Sequence, residues 1–226
     1  MKKLICVLLT LFVIQGYSQR RVLVDELINK GTEENPTMYF NGALFNGVAF
    51  ALYEDGQLAG EVDYEDGKPD GLVKVWYENG QLQLELDFED GKPDGLRKSW
   101  YENGQLAGEE NYIDGKLNGL VKTWYENGQL KGEGYYKDGK LNGLFKGWYE
   151  NGQLMGEGYY KDGKMNGLGK AWYENGQLKG EENYIDDKLN GLVKTWYENG
   201  QLKGEGYYKD GIRKWDQFPT LKEVSL

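Results

Sequence analysis

Residues 119–142 read GLVKTWYENGQLKGEGYYKDGKLN, and close copies of this 24-residue unit recur along most of the 226-residue chain. The glycine that opens the unit falls in step at Gly47, Gly71, Gly95, Gly119, Gly143, Gly167 and Gly191. The tryptophan falls in step at Trp76, Trp100, Trp124, Trp148, Trp172 and Trp196, with Leu52 in the first unit. A fixed period of this length indicates an array in which each unit packs against its neighbours. The pattern predicts seven units over residues 47–214.

Each unit predicts two strands separated by tight turns. Residues 120–126 are good strand formers, and Asn127-Gly128 is a strong hairpin signal because a type I′ turn needs positive φ at both central residues. The returning strand is predicted over residues 129–137 and ends at an Asp-Gly pair. Pro69 and Pro93, just after two such pairs, predict an irregular second connection. We therefore expect an all-β fold, an elongated single-layer antiparallel meander of tandem 24-residue β-hairpin repeats.

A two-residue turn at Asn127-Gly128 fixes the register of the hairpin. It places Trp124 opposite Lys131 and Lys122 opposite Glu133. The opposite-charge pair recurs in six units, at Lys74/Glu85, Lys98/Glu109, Lys122/Glu133, Lys146/Glu157, Lys170/Glu181 and Lys194/Glu205. Six such pairs from one register support it, although an exposed pair contributes only about 0.2–1 kcal/mol.

The same register divides the side chains between two faces. One face is predicted to carry Leu120, Trp124, Tyr135 and the Lys122–Glu133 pair. The other is predicted to carry Tyr125, Leu130 and Tyr136 around Gly132 and Gly134. Cross-strand glycines beside large aromatics predict rings lying over bare backbone.

The two ends of the chain differ from the repeats. Met1-Lys2-Lys3, an apolar run over residues 4–14 and the small residues Gly16 and Ser18 predict a signal peptide over residues 1–18. A retained N-terminal anchor is the alternative. We expect an exported protein, which is periplasmic, outer-membrane-associated or secreted. Residues 19–46 are expected to form an N-terminal cap with a degenerate half-repeat, and residues 215–226 a C-terminal cap or tail.

The composition excludes several classes of function. The chain has no His and one Cys, and 37 Asp+Glu against 27 Lys+Arg give a formal charge of −10. Cleavage after Ser18 would remove two lysines and the cysteine, leaving 25 basic and 37 acidic residues, or −12. We expect no nucleic-acid partner and no broad contact with an anionic membrane. A catalytic site needs one asymmetric constellation, whereas this chain repeats the same groups. No enzyme activity, metal or cofactor is therefore expected.

Two local motifs have plainer interpretations. Residues 134–140 match GxxxxGK, but Leu141 replaces the Ser or Thr of a phosphate-binding loop and no helix is predicted to follow. Adjacent carboxylates such as Glu109 and Glu110 point to opposite faces of a strand. Both motifs are interpreted as structural.

The tandem phrase YENGQLKGEGYYKDGKLNG, at residues 125–143 and nearly so elsewhere, resembles the bacterial variant of the MORN repeat. The resemblance covers residues 39–211. It implies a β-hairpin array with a role in protein or membrane-surface interaction and no catalytic residues. Proteins of this variant are often labelled antitoxin components of toxin–antitoxin systems, yet a cytoplasmic antitoxin needs no signal peptide.

The tryptophan column is the predicted interaction surface. Aromatic faces suit sugars or peptides, although the rings also serve simply to cover a one-layer sheet. The leading hypothesis is an exported, non-enzymatic protein-interaction or cell-envelope scaffold whose partner is an unknown protein or glycan. An antitoxin-like neutralising partner and a carbohydrate-binding array are the alternatives. Exposed edge strands also predict end-to-end self-association.

Overall fold

A computed structural model describes residues 20–32 and 35–214. The predicted signal peptide, residues 1–18, and the predicted C-terminal tail, residues 215–226, lie outside the described residues. One three-residue 3-10 helix spans Val24–Glu26, and every other element is a strand. The strands are β1 Arg21–Leu23, β2 Ile28–Asn29, β3 Met38–Phe40, β4 Ala43–Leu44, β5 Gly47–Leu52, β6 Leu58–Glu65, β7 Lys68–Trp76, β8 Leu82–Glu89, β9 Lys92–Trp100, β10 Leu106–Ile113, β11 Lys116–Leu117, β12 Gly119–Trp124, β13 Leu130–Lys137, β14 Lys140–Trp148, β15 Leu154–Lys161, β16 Lys164–Trp172, β17 Leu178–Ile185, β18 Lys188–Leu189, β19 Gly191–Trp196, β20 Leu202–Lys209 and β21 Ile212–Lys214.

Eighteen of these strands form one sheet, which confirms the predicted all-β meander. From β5 onward neighbouring strands of the sheet are antiparallel. The short β11 and β18 pair with the ends of β10 and β17, and β12 and β19 continue the pairing with the same two strands. At the N-terminal end β1 adds to β5 in parallel. Strands β2, β3 and β4 form a separate small sheet. Because successive strands are neighbours along the chain, each repeat contacts chiefly the repeat before it and the repeat after it.

Buried apolar side chains are few and lie mostly at the N-terminal end. Phe45, 1% exposed, packs with Val22 and Ala49, and Met38, Phe40 and Tyr64 surround them. Val48 in the first repeat is also buried, and in the later repeats Leu86 and Val193 are the buried ones among the described apolar side chains. The array is therefore held chiefly by backbone pairing and half-buried side chains.

The Asn-Gly turns differ from the prediction. The Tyr125 N–H donates to the Gln129 carbonyl and the Gly128 N–H donates to the Tyr125 carbonyl, each at 2.9 Å. Gly128 has a φ of +82°, whereas Asn127 is not among the residues with positive φ. This is a three-residue loop, a type I turn closed by a glycine bulge. The predicted type I′ turn at this position was wrong.

The extra loop residue changes the end of the hairpin. Trp124 lies opposite Leu130, and the register shifts by one residue before Thr123 meets Gly132. The predicted opposition of Trp124 and Lys131 was therefore wrong. Leu130 lies on the face of Trp124, not on the opposite face as predicted, because Lys131 is the additional residue of a β-bulge.

The type I′ geometry occurs instead at the Asp-Gly turns. Asp138 and Gly139 have φ of +49° and +78°, between the paired Lys137 and Lys140. The register then shifts between Gly134 and Tyr136. The irregular second connection that Pro69 and Pro93 predicted in their own units thus also occurs in this unit, which contains no proline.

Candidate functional site: two faces of one sheet

We call one side of the sheet the tryptophan face; it carries the six repeated tryptophans and the repeated Lys–Glu pairs. Each tryptophan is half-buried at the end of the first strand of its hairpin. The cross-strand partner is always a leucine: Leu82, Leu106, Leu130, Leu154, Leu178 or Leu202. No ring pair among the described residues includes a tryptophan, which agrees with the two-strand spacing between them.

The predicted Lys–Glu pairs are part of a longer row of charges. All six lysines lie directly opposite their predicted glutamates within a hairpin. Each lysine also pairs with the glutamate of the preceding hairpin, as in Glu133 with Lys146. Lys and Glu therefore alternate from Glu61 to Glu205.

A direct ion pair forms in only some of the predicted pairs. The ammonium and carboxylate groups lie within 4 Å of each other at Lys74–Glu85, Lys98–Glu109 and Lys170–Glu181. In the described part of the chain, the other three predicted pairs share the register but form no ion pair within that distance: Lys122–Glu133, Lys146–Glu157 and Lys194–Glu205. The physical reason is that a flexible, partly exposed lysine gains too little from one carboxylate to be held in a single position.

A ladder of hydrogen bonds from tyrosine hydroxyls joins the repeats, and it was not predicted from the sequence. The Tyr125 hydroxyl donates to the Trp148 carbonyl, 23 residues later, at 2.8 Å. The bond recurs as Tyr53–Trp76, Tyr77–Trp100, Tyr101–Trp124, Tyr149–Trp172 and Tyr173–Trp196. Beside it, the Asn127 amide donates to the Glu150 carbonyl at 3.0 Å. The signal available in the sequence was the Tyr that recurs in all seven units and the Asn that follows it by two residues in six of them.

We call the opposite side the variable face, defined by four columns of the repeat. The first column holds Ala49, Val73, Arg97, Val121, Phe145, Gly169 and Val193. Opposite it lie Val62, Leu86, Glu110, Gly134, Gly158, Glu182 and Gly206. The third column holds Ala51, Val75, Ser99, Thr123, Gly147, Ala171 and Thr195. The bulge column holds Ala59, Gln83, Ala107, Lys131, Met155, Lys179 and Lys203.

Comparison of the repeats with one another separates the two faces. In units two to seven the tryptophan face keeps the same Leu, Lys, Trp, Leu and Glu, while the Tyr135 position and the position two residues after it change. All four columns of the variable face change in size, charge or polarity from repeat to repeat. The predicted ring-over-glycine contacts are also on this face. A Cβ added at Gly134 would lie 3.0 Å from the Phe145 ring.

Three cavities open on the variable face. One of about 470 Å³ is lined by Val75, Tyr77, Leu84, Arg97, Ser99 and Tyr101, among others. One of about 110 Å³ lies around Gly169 and Glu182, and one of about 290 Å³ lies near Val193 and Gly206. In the bulge column, the ammonium groups of Lys131, Lys179 and Lys203 lie 5.4–5.6 Å from tyrosine ring centres.

The variable face also holds an ion pair that the sequence analysis missed. Arg97 Nη1 lies 2.8 Å from Glu110 Oε1, and the Tyr112 hydroxyl donates to Glu110 Oε2 at 2.8 Å. Burial raises the pKa of Tyr112, as do its hydrogen bond to Glu110 and the charge of that carboxylate, while the positive charge of Arg97 lowers it. The register that pairs Lys98 with Glu109 already implied this contact, because it sets the preceding residue opposite the following one.

The described part of the chain offers no group of three or more His, Cys, Asp or Glu residues able to hold a metal ion. It also contains no helix long and apolar enough to cross a membrane.

Comparison with known proteins identifies the repeats. A family model described as MORN repeat variant matches residues 45–66, 69–90, 93–114, 117–138, 141–162, 165–186 and 189–210. The seven segments together cover more than half of the chain. No curated protein matched the chain.

Proposed function

The chain belongs to the MORN repeat variant family, and from this premise we propose that it is an exported, non-enzymatic interaction protein that binds a protein partner across its variable face. Proteins of this family are repeat proteins with protein-interaction roles and are generally non-catalytic. Export rests on the sequence of residues 1–18, and the cell envelope or the medium is the proposed location.

The observation that carries the proposal is the unequal variation of the two faces. Identical side chains in every repeat do what every repeat needs, which is to pair with the next repeat. Side chains that differ from repeat to repeat are not dictated by the pairing that every repeat shares, and together they give most repeats a surface of their own. A partner that contacts such a surface can distinguish one repeat from the next. A partner that binds the tryptophan face contacts the same groups every 24 residues and therefore has several equivalent positions.

Two neighbouring residues of β12 allow a matched test of the face. Thr123 lies on the variable face opposite Gly132, and Lys122 lies on the tryptophan face opposite Glu133. A photo-crosslinking amino acid is placed at one or the other position in residues 19–226. The protein is then returned to the envelope and medium of the native producer. We expect a single crosslinked protein from position 123 and little from position 122.

The opposite result discriminates between the hypotheses. Crosslinks from position 122 alone would move the partner to the tryptophan face, and loss of that product in Trp100→Ala, Trp124→Ala, Trp148→Ala and Trp172→Ala would identify the rings as its contacts. Recovery of polysaccharide would favour the carbohydrate-binding array. A single toxin or effector bound 1:1 would favour the antitoxin-like function.

Export has its own test. The mass of the protein isolated from the native producer should correspond to residues 19–226, and Ser18→Phe should prevent that cleavage because position −1 needs a small residue. An uncleaved chain in the cytoplasm would overturn the exported location.

A further inference from the structure

At one position on the variable face a glutamate lies opposite a glycine, which has no side chain to contact it. Among the seven cross-strand pairs formed by the first two columns, Gly169 with Glu182 is the pair that places an acid opposite a glycine. The residue on the other side of Gly169 is Gly158, also a glycine. Two adjacent residues without side chains thus leave a gap beside the Glu182 carboxylate.

The chain contains a filled copy of the same arrangement. Residues 108–139 and 180–211 differ only at Gly115 and Asp187, so Glu110 and Glu182 lie in the same local sequence. The strands before them differ, with Arg97 opposite Glu110 and Gly169 opposite Glu182.

In the filled copy both carboxylate oxygens have partners. The Arg97 guanidinium contacts Glu110 Oε1 and the Tyr112 hydroxyl donates to Oε2. In the second copy the Tyr184 hydroxyl donates to Glu182 Oε2, and within the described ranges no ion pair neutralises Glu182.

The gap is large enough for the missing group. The cavity has a volume of about 110 Å³ and is lined by Met165, Gly169, Lys170, Ala171, Gly180, Glu182 and Tyr184. The Lys170 ammonium group forms its ion pair with Glu181, on the tryptophan face. That volume holds several waters and therefore the four heavy atoms of a guanidinium. Glu182 Oε1 lies over bare backbone, 3.8 Å from a Cβ added at Gly180. The Met165 methyl lies over both glycines, 2.5 Å from a Cβ added at Gly158 or at Gly169. It must move for a guanidinium to enter the space that they leave, and an unbranched thioether side chain moves readily.

The pKa values of Tyr184 and Tyr112 respond to the different charges beside them in the two copies. Burial raises the pKa of Tyr184, and the hydrogen bond to Glu182, the charge of Glu182 and the charge of Tyr160 raise it further. Tyr112 experiences the same kinds of effect, but the positive charge of Arg97 opposes them. A cation at the Glu182 cavity would therefore supply the positive charge that Arg97 supplies beside Glu110.

We propose that the Gly169–Glu182 cavity binds the guanidinium group of an arginine side chain presented by a protein partner, as Glu110 binds Arg97 within the chain. A planar guanidinium fits a carboxylate with two parallel hydrogen bonds, which an ammonium group cannot match. The inference rests on the proposed function for the source of the arginine, although the cavity itself can be tested without any partner.

The test uses three small probes and the isotope-labelled protein, residues 19–226. N-acetyl-arginine amide, its citrulline analogue, which is neutral and of nearly the same shape, and its lysine analogue are titrated while the amide signals of Gly169, Gly180 and Glu182 are followed by NMR. We expect saturable shifts at these three amides with arginine, with a dissociation constant in the millimolar range. Citrulline should bind at least about tenfold more weakly, because it lacks the charge that strengthens the hydrogen bonds.

Matched variants locate the site. Gly169→Arg should abolish binding, because the new side chain would pair with Glu182 as Arg97 pairs with Glu110. Glu182→Gln should weaken binding about tenfold or more, whereas Glu110→Gln should leave it unchanged.

Three results would overturn the proposal: no saturable shift at the three amides, equal affinity for arginine and for citrulline or lysine, or unchanged binding in Glu182→Gln. The last variant adds no atoms and keeps the test decisive if Gly169→Arg fails to fold. None of these results bears on which face is crosslinked to the partner, so failure here and failure of the proposed function remain distinguishable.

Discussion

The hydroxyl of Tyr125 donates a hydrogen bond to the backbone carbonyl of Trp148, at 2.8 Å and one repeat further along the chain. This bond connects side chain to main chain across the junction of two hairpins, where the sheet has no second layer to support it. Its recurrence in six positions makes the turn edge of the sheet a continuous ladder.

Removal of one rung should destabilise the array modestly. Tyr125→Phe leaves the Trp148 carbonyl without this donor, and we expect the free energy of unfolding to fall by about 1 kcal/mol. The measurement is urea denaturation followed by tryptophan fluorescence. Tyr159→Phe is the control, because Tyr159 is 54% exposed on the tryptophan face and its loss should change stability by less than about 0.5 kcal/mol. Equal effects of the two changes would contradict the structural role of the ladder.

The glycines beneath the rings of the variable face should resist substitution. A Cβ at Gly134 would lie 2.8 Å from Leu141 and 3.0 Å from Phe145, so Gly134→Ala should cost about 1–3 kcal/mol through overpacking. A Cβ at Gly204 would meet nothing within 4 Å, and no left-handed backbone opposes it. Gly204→Ala should therefore be neutral, or stabilising by up to about 1 kcal/mol. Thermal unfolding of both variants measures the difference. A destabilised Gly204→Ala would show that packing against the rings of the variable face is not the reason for glycine at these positions.

Stability should fall in alkaline solution partly because of Tyr184. Its pKa is raised in the folded chain, so the contribution is fully present below the ordinary tyrosine pKa near 10. As the pH rises above about 10 the unfolded chain loses this proton while the folded chain keeps it, and the free energy of unfolding decreases. Tyr184→Phe should reduce that decrease between pH 9 and 11, measured by urea denaturation at each pH.

The filled copy, with Arg97 beside Glu110, supplies the control for this pH dependence. Tyr112→Phe should reduce the decrease less than Tyr184→Phe does, because Arg97 opposes the effect of Glu110 on the Tyr112 pKa. Lysine titration is common to both variants and cancels in the comparison. A larger effect of Tyr112→Phe would mean that Glu182 is already neutralised in solution.

The sequence was sufficient for the period, the strands and the Lys–Glu register, but not for the choice of turn. Asn-Gly and Asp-Gly are both hairpin signals, and Asp55-Gly56 forms the same three-residue turn as the Asn-Gly pairs. These turns share a local contact, in which the side-chain oxygen of Asn or Asp accepts a hydrogen bond from the N–H two residues later, as Asn127 Oδ1 does from Gln129. The dipeptide alone does not reveal whether its side chain makes this contact, because both turn types tolerate Asn and Asp.

The candidate site shows the same limit. The tryptophans were the most visible repeated feature, and their repetition reflects the needs of every unit. The residues that distinguish one repeat from another, such as Arg97 and Gly169, were not predicted as site residues. The repeat is recognised by the positions that stay the same, and these two positions change. Their pairing with Glu110 and Glu182 was nevertheless implied by the register, which places Arg97 and Glu110 one step from Lys98 and Glu109.

Deletion of one whole unit should leave the array folded. Removing residues 119–142 joins Asn118 to Gly143, so Glu109 would meet Lys146 in place of Lys122 and the Tyr101 hydroxyl would meet the Trp148 carbonyl in place of that of Trp124. The Lys–Glu pairing and the Tyr–Trp hydrogen bond across the junction are thus replaced by equivalent ones, and stability in such arrays is the sum of repeats and their neighbouring interfaces. We expect a soluble protein with a cooperative urea transition and a slightly smaller denaturant dependence, since less surface is exposed on unfolding.

Removal of residues 119–130 is the matched control. It deletes half a unit, breaks the Tyr–Trp ladder and leaves two returning strands in sequence, so this variant should unfold or aggregate. Global unfolding of the whole-unit deletion would show instead that the repeats depend on one another beyond their nearest neighbours.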